Sequence, residues 1–165
     1  MSQVARRIEP QIAPPVDGRQ SDTALAIARG TMRLLHAHGF SVVSELPLAS
    51  GRRADLVALD GKGNIWIVEI KSSVADFRAD QKWMDYRLHC DRLFFATCRE
   101  VPCEIFPPDT GLIVADAFGG SFVCDAPEHK LPAATRKSMM LAFGRAAALR
   151  LQTLIDPHGP YSDEI

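Results

Sequence analysis

A chain of 165 residues with 47% hydrophobic side chains is long enough for one ordinary core and asks for no second domain. Its 19 basic and 20 acidic residues leave a formal charge of -1, which argues against coating nucleic acid through bulk charge, so any such affinity must come from a local basic patch. Apolar runs such as Leu93 to Ala96 are far too short to cross a bilayer, and a cytoplasmic protein is the expectation.

Residues 1–20 carry Pro10, Pro14, Pro15 and Gly18 without an apolar stretch of signal-peptide length, and read as a flexible tail. The domain is expected over residues 21–156, with residues 157–165 as a short C-terminal tail. Asp22 is expected to cap a helix carrying Ala26, Gly30, Arg33, Leu34 and Leu35, which Gly39 stops. Strands follow over residues 40–46, 53–59, 65–71 and 92–97. Between the last two, Phe77, Met84 and Leu88 recur at helical spacing around Gln81, opposite the polar Asp76, Asp80, Lys82 and Asp85. The tight turn Asp60-Gly61-Lys62-Gly63 requires an antiparallel pair, whereas a helical connection permits a parallel one, so the sheet is expected to be mixed and flanked by helices, an α/β fold. Residues 111–117 and 121–124 flank Gly119-Gly120 as a further hairpin. Pro132 opens a last helix with Met140, Phe143, Ala147, Leu151 and Leu154 as its apolar stripe, open at this point to core packing or to homodimerisation. Cys90, Cys98, Cys103 and Cys124 have no CxxC spacing and are expected as reduced, structural thiols.

The chemistry concentrates on the second and third strands. Successive strand residues point to opposite faces, so Ile65, Ile67, Glu69 and Lys71 share one side and Trp66, Val68 and Ile70 the other. An antiparallel hairpin brings the start of the second strand, with Asp55, against the end of the third. Two carboxylates and an ammonium on an otherwise apolar hairpin call for partners, because a lone buried charge is costly. Asp55, Glu69 and a backbone carbonyl, with Ile70 as the candidate, offer the hard oxygens that Mg2+ or Mn2+ takes, and Lys71 can orient a nucleophile or stabilise a transition state. The alternative for Asp55, Glu69 and Lys71 is a structural ion-pair network.

Other candidates carry two readings each. Glu45 completes the metal shell or is a solvated strand-end glutamate. Arg52 and Arg53 meet a phosphate beside the metal or lie in a solvated turn. Gln81 and Lys82 are auxiliary polar groups or a solvated helix face, and Trp83 and Tyr86 stack on a base or pack in the core. Gly61-Lys62-Gly63 lacks the third glycine of a dinucleotide fingerprint, Gly119-Gly120-Ser121 is no nucleophile elbow, and the histidines have no zinc spacing.

Asp55 followed after a glycine turn by Glu69-x-Lys71 resembles the active-site signature of the PD-(D/E)xK nuclease superfamily, with Ala54 where that motif often has proline. A longer set of segments is more specific. It comprises Gly51-Arg52-Arg53-Ala54-Asp55, Val68-Glu69-Ile70-Lys71-Ser72-Ser73, the run from Asp76-Phe77-Arg78 through Asp80-Gln81-Lys82-Trp83 to Tyr86, and Cys90-Asp91-Arg92-Leu93-Phe94-Phe95-Ala96. Together these resemble the bacterial MmcB-like DNA repair family, from about Thr23 to about Leu154. The resemblance implies a restriction-endonuclease-like fold, a metal-dependent endonuclease role in DNA repair and DNA as partner. It also strengthens Glu45 as a site residue. The alternative on the same fold is a catalytically silent module that binds DNA or recruits a repair protein.

Overall fold

The computed structural model describes residues 21–161. The expected tail over residues 1–20 lies outside them, and the expected C-terminal tail is described only as far as Tyr161.

The first helix, α1 (Asp22–Ala37), is capped one residue earlier than expected. Ser21 is the N-cap, its hydroxyl accepting from the Ala24 N–H, and Asp22 sits in the first turn, where its charge favours the dipole. Gly39, at a φ of 84°, turns the chain out of the helix. Six strands follow: β1 (Phe40–Pro47), β2 (Arg53–Asp60), β3 (Ile65–Ile70), β4 (Arg92–Thr97), β5 (Gly111–Ala115) and β6 (Gly120–Cys124). They form one sheet in sequence order, antiparallel for β1–β2, β2–β3 and β5–β6 and parallel for β3–β4 and β4–β5. The mixed sheet is as expected from the turn at Gly61 and the longer β3 to β4 connection.

Both faces of the sheet are covered. On one, Ile27 and Leu35 of α1 pack with Leu56, Val68, Ile70, Phe94 and Ile113. Here α1 rests on the β5–β6 turn so closely that a Cβ on Gly30 would lie 1.9 Å from the Asp116 carbonyl oxygen. On the other face, Val57, Ile65, Ile67 and Leu93 meet Met139, Phe143 and Ala146 of the last helix, α3 (Ala133–Ile155). The two sides of β3 are those expected from its alternation.

Two helical stripes differ from the expectation. Instead of one helix between β3 and β4 there is a short α2 (Val74–Ala79), a break at Asp80, and a 3-10 segment (Trp83–His89). This changes the phase, so Tyr86 is buried and Trp83 half-buried, while Met84 and Leu88 face solvent. In α3, only Phe143 of the expected stripe is buried; Met140, Ala147, Leu151 and Leu154 are exposed, and the inward stripe is Met139, Phe143 and Ala146. The helix is apolar on both sides, so periodicity alone does not select the inner one.

Asp91 fixes α3 against the sheet. Its buried carboxylate accepts from the backbone N–H groups of Ile65 (2.8 Å) and Leu131 (3.0 Å) and from both terminal nitrogens of Arg136 (2.7 and 2.6 Å). Arg136 also donates to the Gly63 carbonyl at 2.6 Å, so one buried ion pair joins the β2–β3 turn, β4 and the first turn of α3. Among the described residues no helix is long and apolar enough to cross a membrane. The four cysteines are unbridged, Cys90 buried and Cys103 and Cys124 exposed.

Candidate active site

Register explains how three acids meet. β1 and β2 pair Ser44 with Leu56 and Leu46 with Ala54, which sets Glu45 level with Asp55. β2 and β3 pair Leu56 with Val68, which sets Asp55 level with Glu69, one step beyond the last ladder pair. At that level side chains take over from the ladder. The Asp55 N–H donates to Glu69 Oε1 at 3.1 Å, and the Ile70 N–H donates to Asp55 Oδ2 at 2.7 Å. Each carboxylate thus satisfies the backbone of the opposite strand and is held in place by it. Like charges level with each other across a sheet destabilise it, so the arrangement is costly.

Glu45 is itself unusual. Its φ of 51° is the single positive value at a non-glycine residue among the described residues, a conformation that costs energy in a β-region chain. Arg150 of α3 clasps the distorted segment, donating to the Ser44 carbonyl at 2.6 Å and the Glu45 carbonyl at 3.3 Å. The Glu45 carboxylate forms an ion pair with Arg53 at 2.5 Å. The Tyr86 hydroxyl donates to the Arg53 carbonyl at 3.1 Å and closes the floor beside Glu69.

Lys71 follows β3 directly. Its N–H donates to the Ala96 carbonyl and its own carbonyl accepts from the Thr97 hydroxyl, so the residue is fixed by β4. The ammonium is buried and donates to Asp80 Oδ2 at 2.7 Å. Asp76, from α2, accepts from the Ser72 N–H at 2.9 Å.

These surroundings set the acidities. Burial pushes the Asp55 carboxyl up to about 6 against the opposing pull of the Ile70 N–H, and the charge of Glu45 adds to the rise. Burial and the charge of Asp55 hold Glu69 well above the carboxylate range. Burial alone would lower Lys71, but the hydrogen bond and charge of Asp80 outweigh it and keep the ammonium charged. Burial, then the charges of Glu69 and Asp55, raise the Tyr86 phenol.

The structure therefore brings Asp55, Glu69, Lys71, the Ile70 backbone and Glu45 to one mouth of the sheet. Glu45 is engaged by Arg53, and among the described residues no group of three acids, histidines or cysteines is disposed to hold a metal together. Arg52 pairs with Asp85 at 3.1 Å, so both arginines of the expected phosphate pair sit in ion pairs. Gln81 and Lys82 are exposed on the bend above the site, where Gln81 donates to the Arg78 carbonyl at 2.7 Å. Tyr86 is 7% exposed and packs in the core beside Trp83, in keeping with the core-packing reading of the pair. Two residues escaped the sequence. Asp80 reads from sequence only as one of the polar residues opposite Phe77, Met84 and Leu88, although a buried lysine demands a counter-ion and Asp76 and Asp80 are the next acids along the chain. Arg150 acts from more than a hundred residues away, and nothing local marks it.

A family model described as "DNA repair protein MmcB-like" matches residues 11–158, a span that contains every residue of this mouth. The chain belongs to the MmcB-like family. A solved structure of a protein of unknown function from Silicibacter pomeroyi is 46% identical, with 87% of this chain and 99% of that one covered at a TM-score of 0.82. A repair endonuclease from Pyrococcus abyssi is 20% identical over 38% of this chain and 31% of its own, at a TM-score of 0.28, too slight a likeness to carry an argument. No curated protein matches the chain. The mixed six-stranded sheet between helices is the restriction-endonuclease-like fold and links this MmcB-like chain to the PD-(D/E)xK nuclease superfamily.

Proposed function

We propose that this MmcB-like protein is a divalent-metal-dependent deoxyribonuclease of DNA repair that hydrolyses phosphodiester bonds, with residues 21–156 as its catalytic unit and the cytoplasm as its location. One observation carries the reading. Glu45 pairs with Arg53 and Lys71 with Asp80, and among the described residues the half-buried Asp55 and the buried Glu69 are two adjacent carboxylates without an ion-pair partner of their own. Such a pair fits Mg2+ or Mn2+, which takes one or two carboxylates and keeps several waters rather than demanding an all-protein cage. Asp55, Glu69 and the Ile70 carbonyl would hold the ion, with Glu45 as a neighbour tied to Arg53.

When bound, the ion supplies Lewis acidity, offsetting charge on the phosphate and acidifying a water. Asp55 and Glu69 keep their orientation through the two strand N–H groups they accept from, so little reorganisation is needed. Lys71, held charged by Asp80, stabilises negative charge developing beside it. Arg52, Arg53, Gln81 and Lys82 line the approach and position the DNA backbone.

The Lys71–Asp80 pair also favours a second reading, because an ammonium already donating to a carboxylate suits a silent module that binds DNA or recruits a repair protein. A panel of labelled duplex, single-stranded and branched DNAs, with Mg2+, Mn2+ or chelator and an Asp55→Asn control, separates the two. Metal-dependent cutting that disappears in the variant supports the nuclease. Binding without cutting in every metal overturns it in favour of the module.

A further inference from the structure

We propose that α3 is a self-association element: two copies of this chain pair their α3 helices antiparallel, through the face turned away from the sheet. The inference is independent of the nuclease reading. Besides its buried stripe α3 carries a second apolar stripe that nothing among the described residues covers, with Met140, Leu141, Leu151, Leu154 and Ile155 between 42% and 75% exposed. The outward residues Lys137, Leu141, Gly144, Ala148, Leu151 and Ile155 are spaced four, three, four, three and four apart, the repeat of a helix-pairing seam. Its centre is small, and a Cβ on Gly144 would meet nothing within 4 Å, so a second backbone can approach closely there.

The seam is complementary to itself when reversed. A two-fold axis at its middle sets Gly144 against Ala148 of the second copy and Leu141 against Leu151 of the second copy. It also lays the C-terminal end of the second helix over a groove of about 620 Å3 beside the N-terminal half of the first. That groove is floored by Met140 and Leu141 and rimmed by Lys130 and Lys137, with Arg136 beside them already paired to Asp91. The arriving end presents Leu154, Ile155 and Asp156, carries no basic residue in its last turn, and has the negative pole of the helix dipole. Apolar side chains thus meet the groove floor, and acid meets its basic rim. The large exposed side chains supply roughly 500 Å2 per copy, or about 1,000 Å2 in all, near the lower bound for a specific interface. A parallel pairing would lack this match, because it would bring Lys137 to Lys137.

The test is the mass of the full chain in solution by light scattering and sedimentation, from about 1 to about 200 μM, a range that captures a weak pair of small interface. The expected species at the upper end is twice the 18.1 kDa monomer. Leu151→Glu, at an exposed position that leaves the core intact, should weaken the dimer at least about tenfold. Asp156→Lys should weaken it as well, and adding Lys137→Asp to Asp156→Lys should restore it. A monomer at every concentration overturns the proposal, whether residues 1–20 or another protein then covers the face. A dimer indifferent to Leu151→Glu and to the charge swap overturns it too.

Discussion

The Asp55 carboxyl makes the folded protein pay for its site, and Asp55→Asn should expose that cost as a gain in stability. The group rises from 3.8 to about 6 on folding. A carboxyl whose folded value is raised binds its proton more tightly in the native state, so its contribution to stability falls as pH rises between those two values and is fully lost above the upper one. At about 1.4 kcal/mol per unit, the loss is about 3 kcal/mol at neutral pH. Asparagine keeps an oxygen for the Ile70 N–H, and the rise to about 6 is already net of the pull of that N–H. In chelator at pH 7 the variant should therefore be more stable by about 3 kcal/mol in urea unfolding, and the difference should shrink towards zero near pH 4. Comparing the two pH profiles cancels the groups remote from Asp55, while Glu69, which loses the raising charge of Asp55 in the variant, titrates with it as a pair. Mg2+ at about a hundred times its dissociation constant should raise the wild type by about 2.7 kcal/mol and leave the variant unchanged. A variant less stable than wild type at pH 7 in chelator, or a profile difference that does not fall between pH 6 and pH 4, would refute the reasoning.

Three further outcomes follow from particular contacts. Asp91→Asn removes the charge that Arg136 and two backbone N–H groups surround, and should cost about 3 kcal/mol in urea unfolding. Because those donors, against burial, hold the Asp91 carboxyl below its ordinary value, its stabilisation is present above that value and lost as pH falls; a wild-type acid transition unchanged in the variant would contradict this. Gly30→Ala gains about 1 kcal/mol of helix propensity but drives a Cβ into the Asp116 and Gly119 carbonyl oxygens, at 1.9 and 2.4 Å, so a net loss of at least about 1 kcal/mol and a lower Tm are expected. An unchanged Tm would mean that the β5–β6 turn yields. Lys71→Ala should abolish cleavage while DNA affinity, read by fluorescence anisotropy, stays within about threefold; full cleavage in the variant would remove Lys71 from the mechanism.

The strands were legible because each uses a local signal. An apolar run at Ile65 to Ile70 broken only by Glu69, glycine at Gly61 and Gly63, and an uninterrupted apolar run at Leu93 to Ala96 all point the same way, and burial follows them. The helices were legible only in part. Between β3 and β4 the pattern through Phe77, Met84 and Leu88 is a regular helical one, but the chain breaks at Asp80, where a carboxylate reaches the buried Lys71, and the phase beyond the break is lost to periodicity. In α3 two stripes of nearly equal apolarity run side by side. Choosing the inner one requires the position of Asp91, whose carboxylate orients Arg136 from a different element. The site divides in the same way. Asp55 and Glu69 are legible because a two-strand register brings them level, whereas Asp80 and Arg150 act through contacts that sequence distance hides.

The distribution of cost across the molecule argues that this mouth is built for something other than stability. Elsewhere the buried charge of Asp91 is matched by a guanidinium and two N–H groups, as a structural ion pair must be. At the mouth, three acids lie in one row, a glutamate adopts a left-handed conformation inside a strand, and a lysine is held charged out of water. A network selected for stability would have replaced Asp55 or Glu69 with a neutral hydrogen-bonding residue, which retains the strand contacts and removes the repulsion. Asp55 and Glu69, both raised by burial, are the carboxyls that a divalent cation would hold ionised, and the expected stability gain of Asp55→Asn in chelator, reversed by Mg2+, measures that linkage directly.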